Sequence, residues 1–114
     1  MVDVARVASA WRLRWRITSD VPLRLTHAAV PHSKLRADDR DIDLATPAEL
    51  ALEVASTETP GTEIENTFLI LTAEGAAASW RILARMRIRV DGDGMPRPAV
   101  ERVDVQEVGF SGQR

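Results

Sequence analysis

Apolar residues and arginines alternate strictly in two stretches of the chain. Residues 11–17 are Trp-Arg-Leu-Arg-Trp-Arg-Ile, and residues 84–90 are Ala-Arg-Met-Arg-Ile-Arg-Val. Because successive side chains of a β-strand point to opposite faces, this period of two predicts strands with one face in a core and the other in water. The three tryptophans, Trp11, Trp15 and Trp80, all fall on the inward side of the alternation.

Shorter runs predict further strands, at 23–27, 63–72 and 100–108, separated by turns that contain glycine or proline. The sequence Phe-Leu-Ile-Leu at 68–71 is apolar at every position, which is typical of a strand in the middle of a sheet. The dipeptide Asp91-Gly92 predicts a hairpin turn after the strand 80–90.

The segment 46–56 has signals for both types of secondary structure. Thr-Pro-Ala-Glu at 46–49 is a plausible helix start, since threonine can cap a helix and proline suits its first turn. Against this, Leu50, Leu52 and Val54 alternate with alanine and glutamate. We favour a strand and keep a helix as the alternative.

A polar, acidic segment covers residues 32–43, in which we expect a solvated loop with at most a short edge strand around 34–37. Its carboxylates could supply oxygen ligands to a calcium-like ion, but Arg40 interrupts them and no glycine hinge is present, so the spacing does not fit an EF-hand. The carboxylates belong to Asp38, Asp39, Asp41 and Asp43.

About seven short strands and no convincing long helix predict an all-β fold, an antiparallel sandwich in a single domain spanning 1–114. Residues 1–9 either fray or add an edge strand. The chain contains no cysteine, which excludes disulfides and thiolate metal sites and fits a reducing compartment. With no signal peptide and no apolar run of membrane-spanning length, we expect a cytoplasmic protein that does not enter the membrane.

A hairpin between 67–72 and 80–85 is the simplest pairing of the apolar runs, and it predicts a meander with the strand 80–90 in its centre. If the core-facing residues of both strands lie opposite one another, Leu69 and Leu71 point away from the core and lie next to Leu83. These three leucines form a candidate interface. The cover over them could be the amino-terminal segment, the loop 32–48 or another chain.

The outward arginines form two rows with different surroundings. In the predicted register, Glu63 and Glu65 lie opposite Arg89 and Arg87, so we expect the row 85–89 to be neutralised. The other row has no acidic partner that can be placed from sequence, and it is a candidate anion-binding site: Arg12, Arg14 and Arg16. The net charge of −2 and the inward tryptophans disfavour nucleic acid as the partner.

Candidate catalytic chemistry is absent from the pattern. The two histidines, His27 and His32, are five residues apart across Pro31 and do not share one strand face, as a metal pair would. No Gly-x-Ser-x-Gly, Walker or Gly-x-Gly-x-x-Gly motif occurs. We therefore expect no catalytic residue, no bound metal and no cofactor.

Three segments together resemble small bacterial immunoglobulin-like or fibronectin-like sandwich domains: Trp-Arg-Leu-Arg-Trp-Arg-Ile-Thr-Ser at 11–19, Asp-Leu-Ala-Thr-Pro-Ala-Glu-Leu-Ala-Leu-Glu-Val at 43–54 and Ile-Glu-Asn-Thr-Phe-Leu-Ile-Leu at 64–71. The chain lacks the cysteine pair and the tyrosine corner of many such domains. The resemblance implies a scaffold or recognition domain. We expect a non-enzymatic protein-interaction domain that self-associates or docks a protein through a sheet edge or the leucine face, with anion binding as the alternative.

Overall fold

The computed structural model describes residues 3–7, 10–55 and 59–110 of the chain. These residues contain no helix, and their eight strands are β1 Asp3–Val7, β2 Ala10–Ile17, β3 Arg24–Pro31, β4 Arg36–Ala45, β5 Ala48–Val54, β6 Glu63–Glu74, β7 Ala78–Val90 and β8 Pro96–Phe110. The predicted all-β class is confirmed. The first strand, β1, lies in the segment for which fraying or an added edge strand was expected.

Two antiparallel sheets make up the fold. One has three strands in the order β1-β2-β5, and the other has five in the order β4-β3-β6-β7-β8. Their facing sides share one buried cluster, to which the smaller sheet contributes Leu13 and Leu52 and the larger sheet Ile64, Met86 and Ile88. This is the predicted antiparallel sandwich. Its specific likeness to immunoglobulin-like domains stays a prediction.

The segment 46–56 forms the strand that its alternation favours. β5 pairs with β2, and it buries Leu50, Leu52 and Val54 against the larger sheet. A helix would have spread these three residues around its circumference, whereas a strand places all of them on the core face. Packing against the core therefore outweighs the helix-start signal at Thr46.

Most of the acidic segment is a strand: only residues 32–35 form a connection, and the expectation of a loop was wrong from Arg36 onward. β4 runs for ten residues along the edge of the larger sheet, with Ile42 and Leu44 half-buried on its inner side. Its carboxylates contact basic groups nearby, which makes the charged strand tolerable at an exposed edge. The contacts are Arg36 with Asp38 at 2.8 Å, His27 with Asp41 at 3.0 Å and with Asp39 at 3.7 Å, and Arg24 with Asp43.

A one-residue bulge in β6 changes the register that the apolar pattern predicts. Ile64 pairs with Ile88, but Thr67 pairs with Met86, so two residues of β6 lie opposite one residue of β7. Asn66, in this bulge, has a φ of 56°, in the left-handed region that asparagine enters more readily than most residues. Beyond the bulge, the pairing is displaced by one residue from the predicted one.

This displacement reverses the two faces of β6, because a slip of one residue moves every side chain to the other side. Leu69 and Leu71 are only 3 % and 2 % exposed and face the core, so the prediction that they point outward was wrong. The outer face carries Phe68 and Ile70 instead, half-buried beside Leu83, which lies opposite Ile70.

Replacing Asn66 tests this bulge directly. We expect Asn66→Val to lower the free energy of unfolding by about 1–3 kcal/mol, because a β-branched residue is strained at positive φ. Asn66→Gly, the matched control, should change it by only a few tenths of a kcal/mol, roughly, since glycine adopts this conformation freely. Denaturant titration measures both values. Equal losses for the two variants would contradict the bulge.

The hairpin between β7 and β8 is also tighter than the sequence predicts. The Asp91 carboxylate accepts hydrogen bonds from the backbone N–H groups of Met95 and Asp93, both at 2.9 Å, and from Arg97 Nε at 2.9 Å. These bonds, the Met95 one foremost, hold the pKa of Asp91 below its usual value. β8 consequently begins at Pro96, opposite Val90. The predicted meander with β7 in its centre is confirmed.

Candidate interaction surface

β8 is an edge strand whose inner face is poorly covered. It is 15 residues long and pairs with β7 at 13 of them, and within the described ranges no strand pairs with its other side. On the face that it shares with the core, Val100, Val103 and Val105 remain 43 %, 55 % and 57 % exposed. The smaller sheet therefore leaves the β8 side of the larger one open.

A groove of about 480 Å³ runs between these valines and the end of β2. Val21, itself 59 % exposed, lies at its border. Apolar residues dominate its walls, and an uncovered apolar surface of this kind marks an interaction site more often than a scattered exposed valine does. The large apolar side chains lining it are Trp15, Ile17, Val21, Leu23, Leu69, Leu71, Trp80, Ile82, Val100, Val103 and Val105.

The free edge of β8 is regular only in its middle. Pro96 and Pro98 have no N–H to offer a neighbouring strand. Register shifts against β7 mark bulges, which put an extra residue at Glu101 and another at Val108. The continuous stretch available for pairing is 102–107.

Charges of both signs lie on the outer face of this stretch. Arg102 and Asp104 are two residues apart and in contact, with Nε and Oδ1 separated by 3.1 Å. Glu101 instead contacts the arginine row of β7, at 3.3 Å from Arg87 and 3.8 Å from Arg85. The edge of β8 thus has mixed charge, in contrast to the acidic edge of β4.

The arginine row of β7 has the acidic partners that the sequence predicts. Arg87 lies 3.5 Å from Glu63 and 3.4 Å from Glu65, and Glu63 is the cross-strand partner of Arg89. This row is therefore balanced by carboxylates rather than left open for an external anion.

The candidate anion site on β2 has acidic neighbours that sequence reasoning did not place. Arg12 contacts Glu53 at 3.2 Å, and Glu49 is the cross-strand partner of Arg16. Arg14 also has an interaction partner. Glu49 and Glu53 have the same spacing as Arg16 and Arg12, which fits cross-strand pairs, but this spacing becomes informative only when β5 is known to pair with β2. Anion binding by this row stays a prediction.

No group of three or more His, Cys, Asp or Glu side chains that could hold a metal ion occurs in the ranges that the structure describes. His27 lies between two aspartates of β4, with Nδ1 at 3.0 Å from Asp41 Oδ1. His32 Nδ1 accepts a hydrogen bond from the backbone N–H of Lys34 at 3.0 Å. Each histidine thus has a local structural contact.

Across the ranges that the structure describes, no helix is long and apolar enough to span a bilayer.

Sequence reasoning identified the last strand but missed its importance. The signal was the pair Val103 and Val105, alternating with Arg102 and Asp104. Such a pattern predicts a half-buried strand, and it cannot show whether the opposing sheet reaches far enough to cover it.

No protein-family model, no curated protein and no solved structure matches this chain.

Proposed function

We propose that this chain is a non-enzymatic interaction domain that self-associates through β8. The observation that supports the proposal most is the exposure of Val100, Val103 and Val105, between 43 % and 57 %, on an edge strand of the larger sheet. An open edge offers a row of backbone donors and acceptors to another strand, and adjacent apolar side chains add affinity. A second copy supplies both features at once.

Among the two edge strands of the larger sheet, the charges favour β8 over β4 for pairing with a second copy of the same strand. β4 carries four aspartates and two arginines, so the strand itself is net negative and a second copy of it would bring like charge alongside. β8 carries Arg102 and Asp104 together, so an antiparallel copy can place opposite signs next to each other. Two larger sheets joined at β8 would form one sheet of ten strands with two-fold symmetry, the commonest symmetry of homodimers.

The alternative function, binding of an anion through Arg12, Arg14 and Arg16, has less support. Glu53 already contacts the first of these arginines, and Glu49 lies across from the third. Binding a phosphate would therefore require the displacement of local carboxylates.

The proposed domain operates in the cytoplasm, a compartment compatible with a chain that has no cysteine.

Light scattering over a range of protein concentrations tests the proposal. We expect the wild-type chain to form a dimer and Val105→Lys to weaken it at least about tenfold, because the substitution puts a charge among the exposed valines. Ala51→Lys, on the exposed side of β5, is the matched control and should leave the dimer unchanged. Circular dichroism verifies that both variants fold. A wild-type chain that stays monomeric, or equal effects of the two lysines, would refute self-association through β8.

A further inference from the structure

We infer that two copies of β8 pair antiparallel about a two-fold axis at Val103, with Arg102 and Asp104 setting the register. This inference rests on the proposed self-association and adds its geometry and its specificity-determining residues. The observations behind it are the order of charges at 102–104 and the regular pairing of these three residues with β7, directly after the bulge at Glu101.

Symmetry restricts the possible registers. When identical strands pair antiparallel in one sheet, residues directly opposite each other must point to the same face. A two-fold axis perpendicular to the sheet therefore lies at a residue that pairs with its own copy, not between two residues. Every other pair then consists of residues equally far before and after that central one.

The charges distinguish the registers that remain. An axis at Arg102 puts two guanidinium groups opposite each other, and an axis at Asp104 does the same with two carboxylates. An axis at Val105 puts Asp104 opposite the neutral Gln106. With the axis at Val103, Arg102 lies opposite Asp104 of the second copy, and the symmetry repeats this pair. It is the one register centred between 102 and 106 that brings opposite charges directly across.

The same register brings apolar surface together. Val103 pairs with Val103 of the second copy on the inner face, where this side chain is 55 % exposed in the single chain. The outer face then holds four alternating charges, since Arg102 and Asp104 of each copy already lie within 3.1 Å of each other. Opposite charges across neighbouring strands stabilise the pairing, and like charges destabilise it.

Charge reversal tests this register. Arg102→Asp places carboxylates opposite each other in a homodimer, and Asp104→Arg does the same with guanidinium groups. We expect each variant to dimerise at least about tenfold more weakly than the wild type, because two favourable pairs become two unfavourable ones. Mixed in equal amounts, the two variants should form a heterodimer, since all opposed charges are then complementary. The double variant Arg102→Asp/Asp104→Arg should dimerise like the wild type.

Sedimentation velocity with one variant fluorescently labelled measures these species, and Arg81→Asp, on the exposed outer face of β7, is the charge-reversal control. Two single variants that remain dimeric, or a mixture that stays monomeric, would overturn the register. If Val105→Lys weakens the dimer but the charge-reversal variants give these contradicting results, self-association through β8 stands and only the register is wrong. If the wild type is a monomer, the proposed function fails first.

Discussion

Leu71→Ala is expected to reduce the free energy of unfolding by about 2–5 kcal/mol, the usual loss for a large aliphatic residue removed from a core. Leu71 is 2 % exposed, pairs with Ile82 of β7 and lies in the buried cluster between the sheets. Truncation removes three carbons and leaves a cavity that a rigid sandwich fills only in part. A loss of this size would consume much of the stability of a typical small domain.

Leu83→Ala is the matched control, because Leu83 has the same chemistry on the outer face of the adjacent strand. It is half-buried, and its truncation should cost roughly 1 kcal/mol. Chemical denaturation of both variants by urea gives the comparison. If Leu71→Ala cost no more than Leu83→Ala, Leu71 would lie on the outer face, as in the unbulged register.

The strands that the sequence predicts best are those whose alternation is unbroken. In β2, the inward side holds Trp11, Leu13 and Trp15, and all three are buried as their positions indicate. β7 behaves alike at Met86 and Ile88. In such strands every residue favours the same orientation of the strand, so the local pattern and the burial in the folded protein agree.

The register of β6 could not be predicted, because every residue of the run 68–71 is apolar. Either set of alternate side chains could face the core, and no polar residue within the run decides between them. A single residue, Asn66, makes the choice by adopting a positive φ of 56°. The leucine interface was inferred from the wrong parity, and for that reason its members Leu69 and Leu71 are core residues.

Two further features depended on tertiary context. The acidic β4 looked like a loop because its charges dominate the pattern, yet Ile42 and Leu44 alternate and become half-buried on its inner side. The exposure of Val103 and Val105 depends on how far the smaller sheet extends, which no local pattern contains. The proposed interaction surface is therefore a property of the assembled sandwich, whereas its residues were visible in the sequence.

Val103→Cys should convert the proposed dimer into a covalent one. The natural chain has no cysteine, so the variant carries a single thiol. Opposed residues of an antiparallel pair have Cα atoms about 4.5 or 5.5 Å apart, and disulfides form over separations of about 4.4–6.8 Å. A residue on the two-fold axis lies opposite its own copy, so both sulfurs are in reach without movement of the backbone.

Ala51→Cys provides the control, because Ala51 is exposed on β5, an outer strand of the smaller sheet, and does not line the groove beside β8. Both variants are oxidised mildly at low protein concentration and separated on a non-reducing gel. We expect nearly complete dimer for Val103→Cys and only slow background crosslinking for Ala51→Cys. Equal crosslinking of the two variants, or a Val103→Cys chain that stays monomeric, would contradict pairing of two copies at β8.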